Sequence, residues 1–591
     1  MRFVPNESQR VFALTLVIGA ISGLAAVSFH LAILKAENLL IDPAIHAQGA
    51  LGAILTVLIP VFGGLLSGLA LYYVVPGARG SGIPQVKVAY SAKGGRLPLR
   101  DVVGKFLISS LQIGSGASLG REGPTVHICA GIATNLGRTF ALSQKNIKRL
   151  LPVGVAAGIA AAFNAPIAAV TFTIEEVVGD LDQTVLSGVI VAAAIAAAIE
   201  RGILGEHPVF TITESYSLNY ASSLLFYAIL GIAAGGVSIL FSESLLKVRE
   251  VFRGLRHLPV WAQPAVGGAV TGTLILATLY FLQTGGINGA GYETLSLALA
   301  GKMAFKVMAV MCLLKLVATV FSYSSGGAGG IFAPSLFVGG MLGGVIGYFD
   351  VNVLSHSGSE LGAFALVGMG AVFAGVVRAP ITSILIIFEM TGSYGLILPL
   401  MIANMTSYVI AKRYRPTPIY EALLEQDDIY LPHASGRVSH FLEKIRVSDA
   451  MTTEVITLSP EMTAGDALEH IQDLQLTTFP VVDEFDRCVG SVTEMRIRRT
   501  VASSDEGALV AEVSDRPISV FPDHLLDRAL YRMNDARVRQ LAVVERDEPH
   551  RFVGIVTMAD IIRVQAEAMA EYAGRPIAGA EDIHSTLTDG R

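Results

Sequence analysis

The chain has 591 residues, a length that at roughly 150 residues per domain corresponds to about four soluble domains. Its composition excludes that arrangement. Apolar residues make up 52% and charged residues 16%, mean hydropathy is +0.57, and a soluble domain carries about 25% charge. Disordered, collagen-like and disulfide-scaffolded chains are excluded as well. The three cysteines, Cys129, Cys312 and Cys488, lie far apart, and no CxxC-type metal spacing occurs, so no metal site is expected.

Charge divides the chain in two. Residues 421–591 hold 17 basic and 31 acidic side chains, a net of −14, which leaves 26 basic and 18 acidic, a net of +8, for 1–420. The first part reads as an integral membrane protein and the second as an acidic soluble module. Apolar runs begin near Val11 with no signal-peptide cleavage pattern before them, so the first run is expected to be retained.

In chain order, runs of membrane-crossing length fall at 11–34, 51–75, 221–241, 264–282 and 302–321, where about 20 residues suffice to cross the hydrocarbon. Others are broken by Gly and Pro around 114–124, 163–166 and 326–334. Broken helices at membrane depth persist where the freed backbone groups line an enclosed or watery site. An internal repeat links these breaks. Lys105, Ser115, Gly116, Gly120 and Pro124 recur as Lys315, Ser325, Gly326, Gly330 and Pro334, and Ala165, Pro166 and Glu175 recur as Ala379, Pro380 and Glu389. Paired Gly/Pro-interrupted segments in two halves are expected of a transporter with its site at the repeat interface. The offsets leave open whether the halves are parallel or inverted, and plain helix-packing glycines are the alternative reading.

Three segments place Gly and then Pro where a loop turns into a helix: Gly80-Ser81-Gly82-Ile83-Pro84, Gly120-Arg121-Glu122-Gly123-Pro124 and Gly330-Ile331-Phe332-Ala333-Pro334. A helix start presents unpaired N–H groups and about half a positive charge, so three converging starts form an anion site. Burying an unpaired ion costs on the order of tens of kcal/mol, which makes such donors necessary. Partial charges also let the ion leave again, where a full lysine charge holds it. Glu122 stands at one of these starts inside an apolar region, where an ionisable group is a functional candidate. The other reading is a first-turn Glu favoured by the helix dipole.

Together these motifs, with Phe163-Asn164-Ala165-Pro166 leading to Glu175-Glu176 and a late Pro418-Ile419-Tyr420, resemble the chloride channel/transporter (CLC) family over roughly residues 10–425. The resemblance implies an all-α polytopic membrane fold with inverted-repeat halves and broken helices, assembled as a homodimer with one anion pathway per subunit. It implies that the Ser81 and Tyr420 hydroxyls and the Ile331 and Phe332 amides hold chloride. It makes Glu122 the external gate and proton acceptor, its carboxylate taking an anion position and receiving the same N–H groups. Glu176 matches the glutamate that delivers protons from the inner side in proton-coupled members. The alternative for Glu175 and Glu176 is an acidic pair at a helix end near water. Ser81 suits chloride where nitrate-selective plant members tend to have Pro, and Ser81 with Tyr420 argues against the family's fluoride exporters. Lys87 resembles the lysine of many eukaryotic members. Lys105 and Lys315 match basic positions and are expected either to supply positive potential or to pair with buried carboxylates.

The acidic tail repeats too. Pro460, Ala467-Leu468 and Val481-Val482 recur as Pro522, Ala529-Leu530 and Val543-Val544, and Gly490 and Thr493 as Gly554 and Thr557. Each unit reads as strand, amphipathic helix, two strands and a helix, and resembles a CBS domain of an α+β tandem module. By that likeness Thr557 meets a phosphate and Asp560 a ribose hydroxyl of ATP or another adenine nucleotide. Arg496 stands where the first unit's aspartate belongs. A purely structural role for the module is the alternative.

The expected organisation is therefore a transport domain over 1–425, a linker over 426–444, CBS units over 445–501 and 510–568, and a loosely ordered tail over 569–591. The expected activity is chloride/proton antiport, with a passive voltage- or proton-gated chloride channel as the alternative. Its partners are chloride, protons, the lipid bilayer and a second copy. The expected place is an inner (plasma) membrane with cytoplasmic CBS domains. A CBS-gated cation channel or magnesium transporter fits less well, because divalent cations want several carboxylates. No enzyme motif appears, with no zinc spacing, nucleophile–base arrangement or phosphate-cradling loop. The acidic tail speaks against a nucleic-acid partner.

Overall fold

The computed structural model describes residues 7–47, 49–179, 183–205, 220–255, 257–354, 356, 360–429, 431, 445–471, 477–503, 505–536, 538–548 and 551–572. The chain forms two compact units, Met1–Pro432 and His433–Arg591. Most of the expected linker and the end of the expected tail, 432–444 and 573–591, lie outside the described residues.

The first unit is helical. Among the described residues nine helices are long and apolar enough to cross a membrane. They include Glu7–Leu39, Gly49–Leu69, Ser223–Gly254, Gln263–Phe281 and Phe305–Ser324, where the long apolar runs stand. Phe12, Leu58, Phe62, Leu225 and Leu313 are exposed on their outer faces, which suits lipid as the solvent rather than water. The Gly/Pro breaks are real. The Leu99–Gly114 helix stops, the chain turns at Gly116 with φ +104, and a new helix runs over Glu122–Thr139. The second half repeats this: Phe305–Ser324 stops, Gly326 turns with φ +100, and Phe332–Leu354 follows. Only glycine adopts that conformation without strain, so these two repeat partners stop their helices for one reason.

The halves are related by a two-fold axis that equivalent residues make visible. Gly120 and Gly330 exchange both backbone hydrogen bonds at 2.7 Å, as an antiparallel bridge. The Gln112 side chain accepts from the Ala328 amide at 2.7 Å, and its counterpart Ser322 accepts from the Ser118 amide at 3.1 Å. Glu175 accepts from the amides of Ile381 and Thr382 at 3.2 and 2.8 Å, and its partner Glu389 accepts from those of Ile167 and Ala168 at 3.0 and 2.7 Å. The Pro166–Phe172 helix and the Pro380–Thr391 helix therefore lie antiparallel, each start capped by a carboxylate at the other's C-terminal end. Equivalent helices running in opposite directions make the repeat inverted.

The second unit is α+β. Strand β1 (Thr478–Val482) pairs antiparallel with β2 (Cys488–Thr493), and β3 (Ser519–Val520) runs parallel to β4 (Gln540–Val544), which pairs antiparallel with β5 (Phe552–Thr557). Helices Ala464–Ile471 and Glu494–Ala502 belong to the first repeat and Leu526–Ala536 and Met558–Tyr572 to the second. The first repeat's leading strand shrinks to a single parallel bridge, Leu458 to Val481, the counterpart of Val520 to Val543. The repeats also exchange their leading segments. Val447 and Ala450 pack in the core of Val520, Leu526, Val543 and Val556, whereas Val510 packs with Leu458, Phe479, Val481 and Val492.

Candidate functional site: an anion path with two buried carboxylates

The three Gly-Pro helix starts converge inside the first unit. The Ile83–Ser91 helix begins after Gly82, whose φ is +101 and whose amide is held by the Gln85 side chain at 3.0 Å. A Cβ on Gly82 meets the Gly123 carbonyl oxygen at 2.7 Å, and one on Gly123 meets the Ser81 O and Oγ at 2.5 and 2.7 Å. The Gly120–Gly330 bridge brings in the third start, at Phe332. Backbone thus approaches backbone where any side chain is too large. All the expected anion ligands are buried here: Ser81, Ile331, Phe332 and Tyr420. Tyr420 enters on the short Ile419–Glu425 helix behind Pro418. The Ser81 and Tyr420 hydroxyls neighbour one another, yet neither oxygen has a hydrogen-bond partner of good geometry among the described residues. Buried hydroxyls left so are costly, and an anion between them satisfies both. The Phe332 ring packs on Phe163 at 4.8 Å and Phe373 at 4.2 Å, which closes the surroundings to water.

Glu122 opens its helix and is fully buried, as expected, but its carboxylate is held differently from the expectation. Oε1 accepts from the Tyr292 hydroxyl at 2.6 Å, whereas Oε2, near Gly120, has no hydrogen-bond partner among the described residues. The Glu122 carboxylate therefore rests on a phenol instead of on the helix-start amides. Tyr292 begins the Tyr292–Leu299 helix after Gly291, and nothing near Glu122 in sequence announces it.

Glu175 and Glu176 do not form an acidic pair facing water. They lie in a wide π-helical stretch, Thr173–Val178, a geometry that recurs at functional sites. Glu175 caps the Pro380–Thr391 helix, and the Thr382 hydroxyl donates to it at 2.6 Å as well. Glu176 is buried and accepts from the Lys87 ammonium at 2.8 Å, and Lys87 also donates to Glu421 at 3.3 Å. Removing one partner of a buried ion pair costs about 3–5 kcal/mol. Glu421 follows Tyr420 directly in sequence, and only the fold brings it to Lys87.

Neither repeat lysine pairs with a carboxylate among the described ion pairs; each ammonium is instead held by backbone carbonyls. Lys105 donates to the carbonyls of Ala78, at 2.8 Å, and Gly80. Lys315 donates to those of Ile287 and Gly289 at 2.8 and 2.7 Å, with Gly286 and Asn288 farther off. Each ammonium gathers the carbonyls of the loop leading to a site helix, Ser81's in one half and Tyr292's in the other.

In the second unit Thr557 and Asp560 form a reciprocal cap. Asp560 Oδ2 accepts from the Thr557 amide at 2.9 Å and hydroxyl at 2.7 Å, and the Asp560 amide donates to Thr557 Oγ1 at 3.2 Å. Arg563 lies 3.5 Å from Oδ1. In the first repeat Arg496 pairs with Asp515 at 2.5 Å.

Comparison with known proteins agrees with this architecture. The profile of the family described as "Voltage gated chloride channel" matches residues 63–412, and that of the CBS domain matches 447–503 and 510–567. The H(+)/Cl(-) exchange transporter ClcA of Salmonella typhimurium is 31% identical over 421 residues, which cover 69% of this chain and 86% of that protein. Among solved structures, a slow cyanobacterial Cl−/H+ antiporter superposes with a TM-score of 0.65 at 28% identity, over 71% of this chain and 98% of that one. A eukaryotic CLC transporter superposes over 93% of this chain and 98% of its own with a TM-score of 0.61, and at 22% identity it speaks to the fold alone. With buried helix starts, an inverted repeat and a matching profile over more than half its length, the chain belongs to the voltage-gated chloride channel (CLC) family and is an integral, multi-pass membrane protein carrying tandem CBS domains.

Proposed function

We propose that the chain is a secondary-active antiporter that moves chloride in one direction and protons in the other. The observation that carries this reading is a pair of buried carboxylates, Glu122 and Glu176, both within electrostatic range of the Tyr420 hydroxyl beside Ser81. Chloride binds between the Ser81 and Tyr420 hydroxyls and the Ile331 and Phe332 amides. Glu122 is the external gate: ionised it closes the path, and with a proton it swings clear. Glu176 hands protons to the path from the inner side. The runner-up is a passive channel of the same architecture, favoured by the Lys87–Glu176 ion pair, which occupies the inner carboxylate.

Reconstituted vesicles separate the two. An imposed chloride gradient drives protons uphill in an antiporter and leaves them at rest in a channel. Glu122→Gln is expected to abolish coupled proton movement; normal pumping by that variant overturns the gate assignment. Glu176→Ala is expected to lower proton flux by about a hundredfold or more, the scale of a positioned proton-transfer group, while chloride flux persists. Equal loss of both fluxes assigns Glu176 a structural role instead.

The chain acts as a homodimer in an inner (plasma) membrane with its CBS unit in the cytoplasm, where ATP or a related adenine nucleotide binds. The support for the nucleotide is chemical: the cap engages Oδ2 of Asp560, while Oδ1 lies beside a cationic Arg563 suited to phosphate. ATP is expected to raise the melting temperature of the wild-type chain and not of Asp560→Ala.

A further inference from the structure

The inner carboxylate raises a charge problem that its own ion pair creates. Lys87 and Glu176 are both buried, their side chains 9% and 5% exposed. A lone ammonium–carboxylate pair is neutral, and a proton added to it leaves a net positive charge where little water reaches. Such a charge is expensive, so a simple pair resists the protonation that Glu176 needs. The third group changes the balance. Glu421 lies 3.3 Å from the same ammonium, its side chain 23% exposed, and the triad carries a net of −1. One proton brings it to zero.

We infer that Glu421 is a positioning residue for proton uptake, supplying the second negative charge that lets Glu176 be protonated while Lys87 stays charged. This rests on the reading of Glu176 as the inner proton acceptor. In the step itself a hydronium O–H bond breaks, a Glu176 carboxyl O–H forms, and a water is left. The Lys87 ammonium then rests on Glu421 alone. Among the described residues, the charged groups acting on Glu176 are Lys87, Glu421 and Glu175, the last engaged at the Pro380–Thr391 helix start. Three helices pack on the Ile419–Glu425 helix: Ile83–Ser91, Ser223–Gly254 and Glu360–Val377. The first offers Lys87; the second offers Arg249, bonded to the Leu423 carbonyl, Gln426 and Asp427, and Arg253, bonded to the Gln426 carbonyl and Asp427; and the third has no ionisable residue after Glu360.

The test uses the full chain in vesicles, with proton and chloride fluxes recorded together. Glu421→Gln is expected to cut proton flux about tenfold or more, as a unit charge a few ångströms away demands, with chloride flux retained. Glu421→Asp is expected to keep coupling. The decisive variant is Lys87→Met with Glu421→Gln, which removes one charge of each sign and restores a net of −1; proton flux is expected to return. A Glu421→Gln chain that couples like the wild type overturns the inference, as does a double variant no better than Glu421→Gln, and antiport then stands on Glu176 alone. A wild-type chain that moves no protons overturns the antiport reading and this inference with it.

Discussion

A single phenol holds the Glu122 carboxylate, the gate of the proposed path. The 2.6 Å bond from Tyr292 to Glu122 joins a neutral donor to a carboxylate in a buried place, and bonds to charged groups are worth about 1.5–3 kcal/mol. On the proposed gating that bond breaks when Glu122 swings clear, so Tyr292→Phe is expected to speed chloride turnover by about tenfold, the equivalent of 1.4 kcal/mol in a barrier. Chloride efflux from vesicles measures it, and an unchanged rate means the phenol does not restrain the gate. Glu122 was legible because it sits inside a Gly-Arg-Glu-Gly-Pro segment that starts a helix in an apolar run, and Ser81 and Tyr420 through the family resemblance that their motifs carry. Tyr292 was not, since the contact spans 170 residues and no local pattern marks a hydroxyl whose importance is its partner.

At the scale of elements, the reciprocal caps explain how two short helices survive at membrane depth. The Pro166 and Pro380 starts have no N–H on their first residue, and their next amides are taken by Glu389 and Glu175. Loss of a cap costs about 0.5–2 kcal/mol. Glu175→Ala and Glu389→Ala are each expected to lower the melting temperature of the purified chain, and by similar amounts because the sites are equivalent. If either variant melts like the wild type, the carboxylate is not holding its helix. The breaks themselves could be read from Gly and Pro. What closes them could not, because a carboxylate in sequence looks the same whether it meets water or another helix's start.

For the molecule as a whole, offsets between repeats carry no direction, so the inverted orientation that the resemblance implied is seen in this chain's own atoms where equivalent groups meet across the axis. The tail shows the same limit. Its strand and helix order follows from the pattern, while the exchange of the segments at Val447 and Val510 between the two cores is a matter of docking. The second repeat also buries a histidine, His524. Burial, then the nearby Arg528, holds His524 below its ordinary value of 6.5, and its Nδ1 accepts from the Phe521 amide at 3.3 Å. A depressed histidine favours the fold fully above the unfolded value and loses that contribution as pH falls through it. Hydrogen exchange of β4 and β5 in the full chain is therefore expected to quicken below about pH 6.5, the ordinary value, and to do so less in His524→Gln. Asp523, which Arg546 holds below its ordinary 3.8, enters only at far lower pH. Identical exchange in the two chains excludes His524 as the source.

The Gly120–Gly330 pair has a consequence for how such a molecule works. Two short backbone bonds pin the halves together at their common centre, so a tilt of one half against the other breaks both of them. On the proposed transport reading, access to opposite sides then alternates through side chains turning about a fixed frame, and a carboxylate with a phenol for a latch is a moving part of the right size.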